Sequence, residues 1–311
     1  MELLDFSKKE VLIPQKPFVA TMGFFDGVHL GHRHLIDQVK AEAHKLGLPS
    51  AVITFPVHPR IVLEQDYQPK LLCGYNEKLE QLETTGIDYC ISLPFTKELA
   101  GLSAKEFMKQ VLKDSFHVHT FIVGYDHRFG YNRKEGFEDY VRYGNELGIT
   151  VKQATELRFG DQDVSSSQIR RLLSEGKIKI TNKLLSYNYR LTGRIVEGYQ
   201  VGRTIGFPTA NISDWERFKV IPALGVYAVF VRMGNDIYKG MLYIGTRPTL
   251  HQNNEISVEV NVFDFEGDLY NQFLTVEFVD FIRKDMTFEN TELLAQQIAQ
   301  DKFTVLKRLN D

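Results

Sequence analysis

Residues 18–46 read FVATMGFFDGVHLGHRHLIDQVKAEAHKL, and this stretch decides the fold of the first half of the chain. The apolar run at 18–24 predicts a strand that enters a turn at Asp26 and Gly27. From residue 32 onward the apolar side chains recur at helical spacing. They are Leu35, Ile36, Val39, Ala43 and Leu46. A strand, a tight turn and a helix in this order are typical of a parallel α/β sheet.

Segments of the same two kinds continue to about residue 180. Strands are predicted at 50–55, 89–93, 120–123 and 150–154. Helices are predicted after Asn76, which can cap one of them, after the capping box that joins Ser103 to Glu106, and at 137–147. The alternation predicts a parallel sheet with helices on both faces.

The pattern changes at about residue 189. Strands joined by short turns are predicted at 191–196, 225–231, 238–244, 256–263 and 273–281. In one of them Val258, Val260 and Val262 alternate with Ser257, Glu259 and Asn261, so one face is apolar and the other polar. We therefore expect an antiparallel barrel or sandwich, closed by a helix at 291–309. The polar stretch 181–188 is the predicted boundary, which gives domains 1–182 and 183–311.

Composition narrows the class of protein. A chain of 311 residues with 43% hydrophobic and 25% charged residues is typical of a soluble globular protein with two domains. The net charge of -3 argues against broad binding to nucleic acid or to an anionic membrane. The only cysteines are Cys73 and Cys90, without a CxxC pair, which favours a reducing cytoplasm over a disulfide framework. No signal peptide or membrane-spanning run is evident, and the sequence leaves the oligomeric state open.

The turn at 23–32 carries the first candidate site. His29 and His32 stand three residues apart where a helix begins, so both could face a phosphate bound at the helix N-terminus. Imidazoles placed in this way can hydrogen-bond the charge that develops during phosphoryl transfer. A metal cluster that includes His34, or surface histidines around a turn, explains the same spacing comparably well.

A second element favours the phosphate interpretation. The run SSSQIR at 165–170 opens another predicted helix, where serines can serve simply as caps. Arg170 would point toward the same helix end and could grip a phosphate with its guanidinium.

Together, HLGH at 29–32 and SSSQIR at 165–170 resemble the signature pair of nucleotidyltransferases with a Rossmann-like fold. The blocks GFFDGVHLGH (23–32), TFPVHPR (54–60) and GYDHRFG (124–130) are similar to the FMN adenylyltransferase module of the bacterial bifunctional riboflavin kinase/FAD synthetases. Three differences stand in these blocks: Phe24 replaces a frequent Asn, His127 replaces an aromatic residue, and FPVHP replaces FxPHP. The run SSS also replaces the more usual SST.

The resemblance implies that this half joins AMP from ATP to FMN, giving FAD and pyrophosphate with Mg²⁺. It assigns catalysis to His29 and His32. It assigns ATP binding to Gly23, Phe25, Asp26, Gly31, Ser165, Ser166, Ser167 and Arg170. It assigns flavin binding to His58, Pro59, Arg60, Asp126, Arg128 and Arg133.

The second candidate site lies in the stretch at 193–211, which ends in PTAN and is dense in glycine. Hairpin turns explain most of this stretch, but they explain the PTAN motif poorly. Thr209 and Asn211 lie two apart on an extended segment, so their side chains share a face. Their oxygens suit Mg²⁺, which takes a few protein oxygens together with phosphate and water.

This stretch resembles the riboflavin kinase module of the same family, as do PALGVY (222–227), IGTRPT (244–249) and VEV (258–260). The resemblance implies that Thr209 and Asn211 hold Mg²⁺ and that Glu259 is the base that takes the proton of the riboflavin hydroxyl. It places Gly202, Arg203, Gly206 and Pro208 at ATP, and Tyr227 and Arg283 at the flavin. Without the resemblance, Glu259 would be interpreted as a solvent-facing strand residue.

The expected fold is a Rossmann-like domain followed by an antiparallel β-barrel with a C-terminal helix. The expected protein is a cytoplasmic enzyme that makes FMN and then FAD from riboflavin and ATP, releasing ADP and pyrophosphate, without nucleic-acid or membrane partners. Two alternatives remain at this stage. One is a riboflavin kinase with a weakened adenylyltransferase site, and the other is a flavin-binding regulatory protein without turnover.

Overall fold

The chain divides into two compact units. The computed structural model describes residues 1–8, 11–64, 66–159, 162–197, 206–247 and 255–310. One unit comprises Met1–Pro69 and Cys73–Ser165, and the other comprises Lys70–Leu72 and Ser166–Asp311. The short segment joins the second unit because Leu71 pairs with Lys219 as an isolated parallel bridge.

The first unit contains a sheet of six strands. They are Glu2–Asp5 (β1), Phe18–Met22 (β2), Ser50–Thr54 (β3), Tyr89–Ser92 (β4), Val118–Val123 (β5) and Thr150–Gln153 (β6). Their order across the sheet is β1-β4-β3-β2-β5-β6, and every pair is parallel. The predicted parallel sheet is confirmed. The edge strand β1 was not predicted, because four residues flanked by charges carry little periodic signal.

Both faces of this sheet are buried. Phe18, Ala20 and Met22 of β2 belong to one apolar core, whereas Val19 packs in a second core on the other face. The second core contains Ile36 and other apolar residues of the helix predicted after the turn. Burial on both faces explains why the strands are apolar runs without alternation.

Helices cover the sheet. They are Leu30–Leu46 (α1), Pro59–Leu63 (α2), Tyr75–Glu83 (α3), Lys97–Gly101 (α4), Ala104–Phe107 (α5), which continues as a wider π-type helix over Met108–Ser115, and Phe137–Leu147 (α6). The capping box of α5 is confirmed, since Ser103 and Glu106 each accept from the other's backbone N–H. Asn76 does not cap α3. The helix begins one residue earlier, because the carbonyl of Gly74 already accepts from Lys78.

The last strands of the first unit and the first helices of the second lie next to each other in sequence. A two-stranded sheet pairs Arg158–Phe159 (β7) with Gln162–Asp163 (β8). The second unit contains the helices Ser166–Ser174 (α7), Ile178–Leu185 (α8) and Thr291–Asn310 (α9). The stretch 181–188, where the boundary was predicted, is thus helical as far as Leu185.

Six antiparallel strands close into a barrel in the order β10-β13-β12-β11-β14-β9. They are Arg190–Val196 (β9), Ala210–Ser213 (β10), Gly225–Met233 (β11), Asp236–Arg247 (β12), Glu255–Val262 (β13) and Phe273–Lys284 (β14). The antiparallel barrel and its C-terminal helix are confirmed. β10 contains the Asn of the PTAN motif, and the motif's extended conformation is explained by pairing with β9 and β13.

The barrel has an apolar outer face beneath α9. Val226, Ala228 and Met241 pack there against Val305 and Leu309 of the helix. The polar side of β13 is not simply solvated, because Ser257 and Asn261 are buried. The alternation in β13 therefore separates the barrel interior from a covered polar surface, which is where the second candidate site lies.

Candidate active sites

The HLGH motif follows a strained turn at the carboxyl end of β2. Phe25, Gly27 and Val28 have φ angles of 55°, 77° and 38°. Positive φ is costly for a β-branched residue such as Val28, by about 1–3 kcal/mol, and such strain is typical of ligand-binding turns. In an open parallel sheet, ligands bind at the carboxyl ends of the strands, so the turn stands at the expected edge.

His29 and His32 are brought into direct contact. His29 is the N-cap of α1 and accepts from the backbone N–H of His32 through Nδ1 at 3.4 Å. The two imidazole rings stack with their centroids 3.7 Å apart and their planes 16° from parallel. Both rings therefore lie at the helix N-terminus, where free N–H groups and the helix dipole favour an anion.

The environment keeps His32 uncharged. Burial lowers the pKa of His32 well below its usual value, and the neighbouring His29 and Lys78 lower that pKa further. Within the described residues, Nδ1 of His32 is buried without a hydrogen-bond partner. A neutral imidazole with a buried, unsatisfied ring nitrogen is suited to hydrogen-bond a ligand at this helix end.

The absence of a side chain at Gly31 allows the chain just before the serine run to pack closely against this turn. A Cβ at residue 31 would lie 2.9 Å from the carbonyl oxygen of Val164 and 3.2 Å from the His29 ring. Only glycine permits that approach. Ser165 follows Val164 directly, so the first serine of the run is adjacent in the chain to the residue that packs on HLGH.

The rest of the run belongs to the second unit, where α7 begins at Ser166 and includes Ser167 and Arg170. The guanidinium of Arg170 donates from Nε to the carbonyl of Lys70 in that unit. The predicted helix at the SSSQIR motif is confirmed, and its roles in binding remain predictions.

Cys73 and Lys78, which the sequence analysis did not assign to a site, form hydrogen bonds with residues of this turn. The backbone N–H of Gly27 donates to the sulfur of buried Cys73 at 3.0 Å, and the N–H of Cys73 faces Asp26 Oδ1 at 3.4 Å. Lys78 is buried beside them and donates to the carbonyls of Phe24 and Phe55. Its position four residues before Leu82 was an available signal, because that spacing places a residue on the apolar face of the helix.

Phe24, which stands where the family often has Asn, belongs to an aromatic group with His58 and Tyr67. The His58 ring meets that of Phe24 edge-on at 4.7 Å and that of Tyr67 at 5.5 Å. His58 is also the N-cap of α2, which begins at Pro59, and accepts from the N–H of Arg60 at 3.2 Å. The guanidinium of Arg60 lies 5.4 Å from the centre of the Tyr67 ring. These residues form one surface at the carboxyl end of β3.

The loop after β5 holds three of the predicted flavin residues. Asp126, Arg128 and Arg133 are exposed. Burial lowers the pKa of His127 to about 4, with the charge of Arg133 acting in the same direction and Asp126 opposing it. Asp126 and Arg133 therefore act on the same imidazole, and His127 is neutral at physiological pH.

The second unit contains a cavity of about 590 Å³ between the barrel and the segment that includes the start of α9. Its apolar lining includes Val226, Met241, Phe288, Leu294 and Ile298. Its polar lining includes Thr209, Tyr243, Glu259, Asn261, Arg283, Asp285 and Asp301. A mostly apolar wall with a few converging polar groups is the usual character of a small-molecule site.

Glu259 is the centre of the polar group. Its Oε2 accepts from the Thr209 hydroxyl at 3.2 Å, and its Oε1 accepts from the Ser257 hydroxyl at 3.0 Å. In the strand pairings it stands opposite Asn211 on one side and Tyr243 on the other. The structure thus places Thr209, Asn211 and Glu259 on one face, as opposed residues in neighbouring strands are.

An ion pair between a partly buried arginine and a buried aspartate lines the cavity further along. Arg283 donates from Nε to Asp301 at 2.9 Å and approaches it from Nη2 at 2.8 Å. Asp301, only 2% exposed, also accepts from Gln297. Nearby, burial and a hydrogen bond to Asp285 raise the pKa of Tyr243 to about 12, so this phenol stays protonated.

The remaining predicted residues of this half lie in different places. Tyr227 is fully buried, packs edge-on against Phe278 and Phe281, and does not line the cavity. Gly206 and Pro208 are exposed, and the carbonyl of Pro208 accepts from Asn261 at 2.6 Å. Gly202 and Arg203 lie outside the described residues.

Comparisons with known proteins match both halves. The family model for FAD synthetase matches residues 13–168, and the model for riboflavin kinase matches residues 185–309. A bifunctional riboflavin kinase/FMN adenylyltransferase of Listeria monocytogenes is 35% identical over 91% of this chain and 90% of its own. The corresponding proteins of Escherichia coli K12 and Bacillus subtilis are each 35% identical over more than nine tenths of both chains.

One solved structure has the same fold over nearly all of the chain. It is the crystal structure of a protein from Streptococcus pneumoniae described as a macrolide-efflux protein. It covers 98% of this chain and 99% of its own, with a TM-score of 0.88 and 30% identity.

In the part of the chain that the structure describes, no helix is long and apolar enough to cross a membrane. In the same part, no group of three or more His, Cys, Asp or Glu residues is arranged to hold a metal ion.

Proposed function

The chain belongs to the family of bifunctional riboflavin kinase/FMN adenylyltransferases, and on this premise we propose which of its residues carry out each reaction. The enzyme phosphorylates riboflavin to FMN with ATP and adenylylates FMN to FAD with a second ATP. The presence of both family domains favours this activity over the alternatives of a kinase alone or a binding protein without turnover.

Riboflavin phosphorylation is assigned to the cavity of the second unit, and the hydrogen-bonded pair of Glu259 and Thr209 at its wall is the observation that carries the assignment. The apolar lining suits the flat flavin ring. The polar end suits the ribityl chain. Glu259 takes the proton of the 5′-hydroxyl as that oxygen attacks the γ-phosphorus of ATP, and ADP leaves. Its hydrogen bonds from Thr209 and Ser257 fix the direction of the carboxylate.

The donor set beside Glu259 fits Mg²⁺. Thr209 and Asn211 present a hydroxyl and an amide oxygen next to a carboxylate, and oxygen donors of this kind suit a small, hard cation. Few protein ligands are needed, because phosphate oxygens and water complete the shell. When bound, Mg²⁺ neutralises charge on the transferring phosphate. Gly206 and Pro208 come shortly before Thr209 in the sequence. We assign them, together with Gly202 and Arg203, to ATP binding.

FAD formation is assigned to the carboxyl edge of the parallel sheet. An oxygen of the FMN phosphate attacks the α-phosphorus of ATP, and pyrophosphate leaves. His29 and the neutral His32 at the start of α1 donate hydrogen bonds to the triphosphate as charge develops, and Gly31 allows Val164 to approach this turn. The serines at 165–167 and Arg170 hold the departing β- and γ-phosphates.

The remaining residues of this site have binding roles. Gly23, Phe25 and Asp26 shape the turn that receives ATP. The flavin side of this site is assigned to His58, Pro59, Arg60, Asp126, Arg128 and Arg133 on its two loops. In the second unit, Tyr227 and Arg283 are assigned to the flavin of that unit's own cavity. Tyr227 acts there by packing, because its ring is buried away from the cavity.

We also propose the organisation and location of the enzyme. The functional domains are 1–182 and 183–311, in support of which the two family matches end at 168 and begin at 185. A cytoplasmic location is supported by two cysteines that are both free and buried. A net charge of -3 supports small-molecule substrates without nucleic-acid or membrane partners.

One pair of variants tests the two assignments. The protein is incubated with ATP and Mg²⁺ and either riboflavin or FMN, and the flavins are resolved by chromatography. Glu259→Gln, which keeps the size of the side chain, is expected to abolish FMN formation and leave FMN-to-FAD conversion intact. His29→Ala combined with His32→Ala is expected to do the reverse. A folded variant that loses both reactions contradicts the division into two sites.

A further inference from the structure

Lys78 is a buried cation at the carboxyl edge of the parallel sheet. It is 2% exposed, although lysine is rarely found fully buried. Its Nζ donates to the carbonyl of Phe55 at 2.7 Å and to the carbonyl of Phe24 at 3.2 Å. The same ammonium lies 4.1 Å from the centre of the Phe24 ring. Burying an ammonium group has a large unfavourable free energy, so a lysine kept at this position is expected to have a specific role.

The two carbonyls belong to neighbouring strands. Phe24 follows β2 by two residues, and Phe55 follows β3 directly. β2 and β3 are adjacent in the sheet. At their ends the N–H of Gly23 donates to the carbonyl of Ile53, and the Thr54 hydroxyl donates to the carbonyl of Phe24 at 3.3 Å. Lys78 adds the bond that holds the carbonyl of Phe55 to the same group. Each carbonyl stands at the root of one loop of the adenylyltransferase site. One loop carries HLGH at 29–32, and the other carries HPR at 58–60.

The charge of Lys78 also affects the protonation of His32 at the same edge of the sheet. The groups that bear on the His32 imidazole are His29, at the start of the same helix, and Lys78, from α3. Both lower the pKa of His32 in addition to the effect of burial. The cation therefore helps to keep this imidazole neutral at physiological pH.

We propose that Lys78 is a positioning residue for FAD formation, which ties the loop that receives ATP to the loop that receives the FMN phosphate. The inference rests on the proposed function of these two loops. The lysine itself touches neither substrate. Together with the Thr54 hydroxyl it sets the separation of the two loop roots, and hence the distance between the attacking phosphate oxygen and the α-phosphorus.

A purely structural role makes a different prediction, and the chain offers a matched control. Lys219 is a second buried lysine, 8% exposed, whose Nζ donates to the carbonyl of Leu72 at 2.8 Å. It also lies over an aromatic ring, 4.7 Å from the centre of Tyr189. Lys219→Met and Lys78→Met thus remove the same kind of buried interaction, but only Lys78 joins the two site loops.

The test uses the full chain and measures kcat and KM for both reactions, with thermal unfolding of each variant. Lys78→Met is expected to lower kcat for FAD formation by about 10²-fold, the usual effect of a misplacement near 1 Å, with a much smaller change in KM for ATP. FMN formation by the same molecules is expected to stay within about twofold of wild type, since it reports the folded fraction of the other unit. Lys219→Met is expected to leave kcat for FAD formation near wild type.

Two further readouts separate positioning from loss of stability. Lys78→Arg restores a cation with several donors, so it is expected to recover part of the lost kcat. Without the charge of residue 78 the pKa of His32 rises. The acid limb of the pH profile for FAD formation is therefore expected to move to higher pH in Lys78→Met and to stay in place in Lys78→Arg.

The proposal is overturned if folded Lys78→Met forms FAD with kcat within about threefold of wild type, or if Lys219→Met loses as much activity. Should Lys78→Met fail to fold, Lys78→Gln takes its place, because its amide keeps a donor for one carbonyl, and the same threshold applies. Failure of the proposed function is distinguishable. It would appear as FAD formation that survives replacement of both His29 and His32, whatever the Lys78 variants do.

Discussion

Gly31→Ala is a one-methyl change whose effect on activity and on stability should differ. The added Cβ would lie 2.9 Å from the Val164 carbonyl oxygen and 3.2 Å from the His29 ring. Carbon and oxygen atoms do not approach so closely without strain, so one of the two neighbours has to move by a few tenths of an ångström. Either movement disturbs the HLGH turn, because it displaces the His29 imidazole or the chain that enters the serine run.

The expected stability change is small, because two effects oppose each other. Alanine in place of glycine within a helix stabilises by up to about 1 kcal/mol. Overpacking at a tight contact costs about 1–3 kcal/mol. The variant is therefore expected to be destabilised by no more than about 2 kcal/mol, which a protein of ordinary stability tolerates. The activity has no such compensation, and we expect kcat/KM for FAD formation to fall by about 10²-fold.

Chromatographic assay of FAD and FMN formation on the same preparation separates these effects. FMN formation is expected to remain at the wild-type rate, since the site proposed for it lies in the other unit. Gly101→Ala is the matched control. It makes the same change at the end of helix α4, where an added Cβ meets nothing within 4 Å. A Gly31→Ala enzyme that forms FAD within about threefold of the wild-type rate would refute the close contact as the reason for glycine at this position.

Three other perturbations follow from the structure. Asp301→Ala leaves the partly buried Arg283 without its carboxylate and is expected to destabilise the second unit by about 1.5–3 kcal/mol, measured by urea unfolding, and to raise KM for riboflavin. His127 has a pKa of about 4 in the folded protein against a usual 6.5, so about 3 kcal/mol of stability should be lost as the pH falls from 6.5 toward 4. In His127→Phe, unfolding measured at several pH values should lack this component. Thr209→Val removes one oxygen donor. It is expected to raise the Mg²⁺ concentration for half-maximal FMN formation by at least about tenfold, with FAD formation unchanged. An unchanged Mg²⁺ requirement would exclude Thr209 as a ligand.

The elements that sequence reasoning found are those with strong local periodicity. Helix α1, the capping box of Ser103 and the alternation of β13 all depend on residues within one or two turns or pleats of each other. The edge strand that it missed depends on a distant partner, because β1 exists only where β4 supplies a parallel neighbour. The cap predicted at Asn76 was wrong for a local reason, since Gly74 precedes the first residue of α3.

The same division holds for the sites. Motif spacing was enough to single out HLGH and PTAN, because helices and strands fix how residues two, three or four apart are directed. The contact of Gly31 with Val164 joins residues at least a hundred positions apart, and so does the Arg170 bond to Lys70. Tyr227 shows the limit of motif transfer, since a residue within a matching block is buried against Phe278 and not exposed to the cavity.

The sequence by itself determined the order of strands and helices, the α/β and barrel halves, and the residues that resemble a known chemistry. It did so because hydrophobic periodicity and turn chemistry are local properties of the chain. Only the tertiary structure decided that the two imidazoles stack, that Glu259 is held by Thr209 and Ser257, and that Lys78 joins two strand ends. Hydrogen bonds and burial depend on which distant segments meet, and those meetings exist only once the chain has folded.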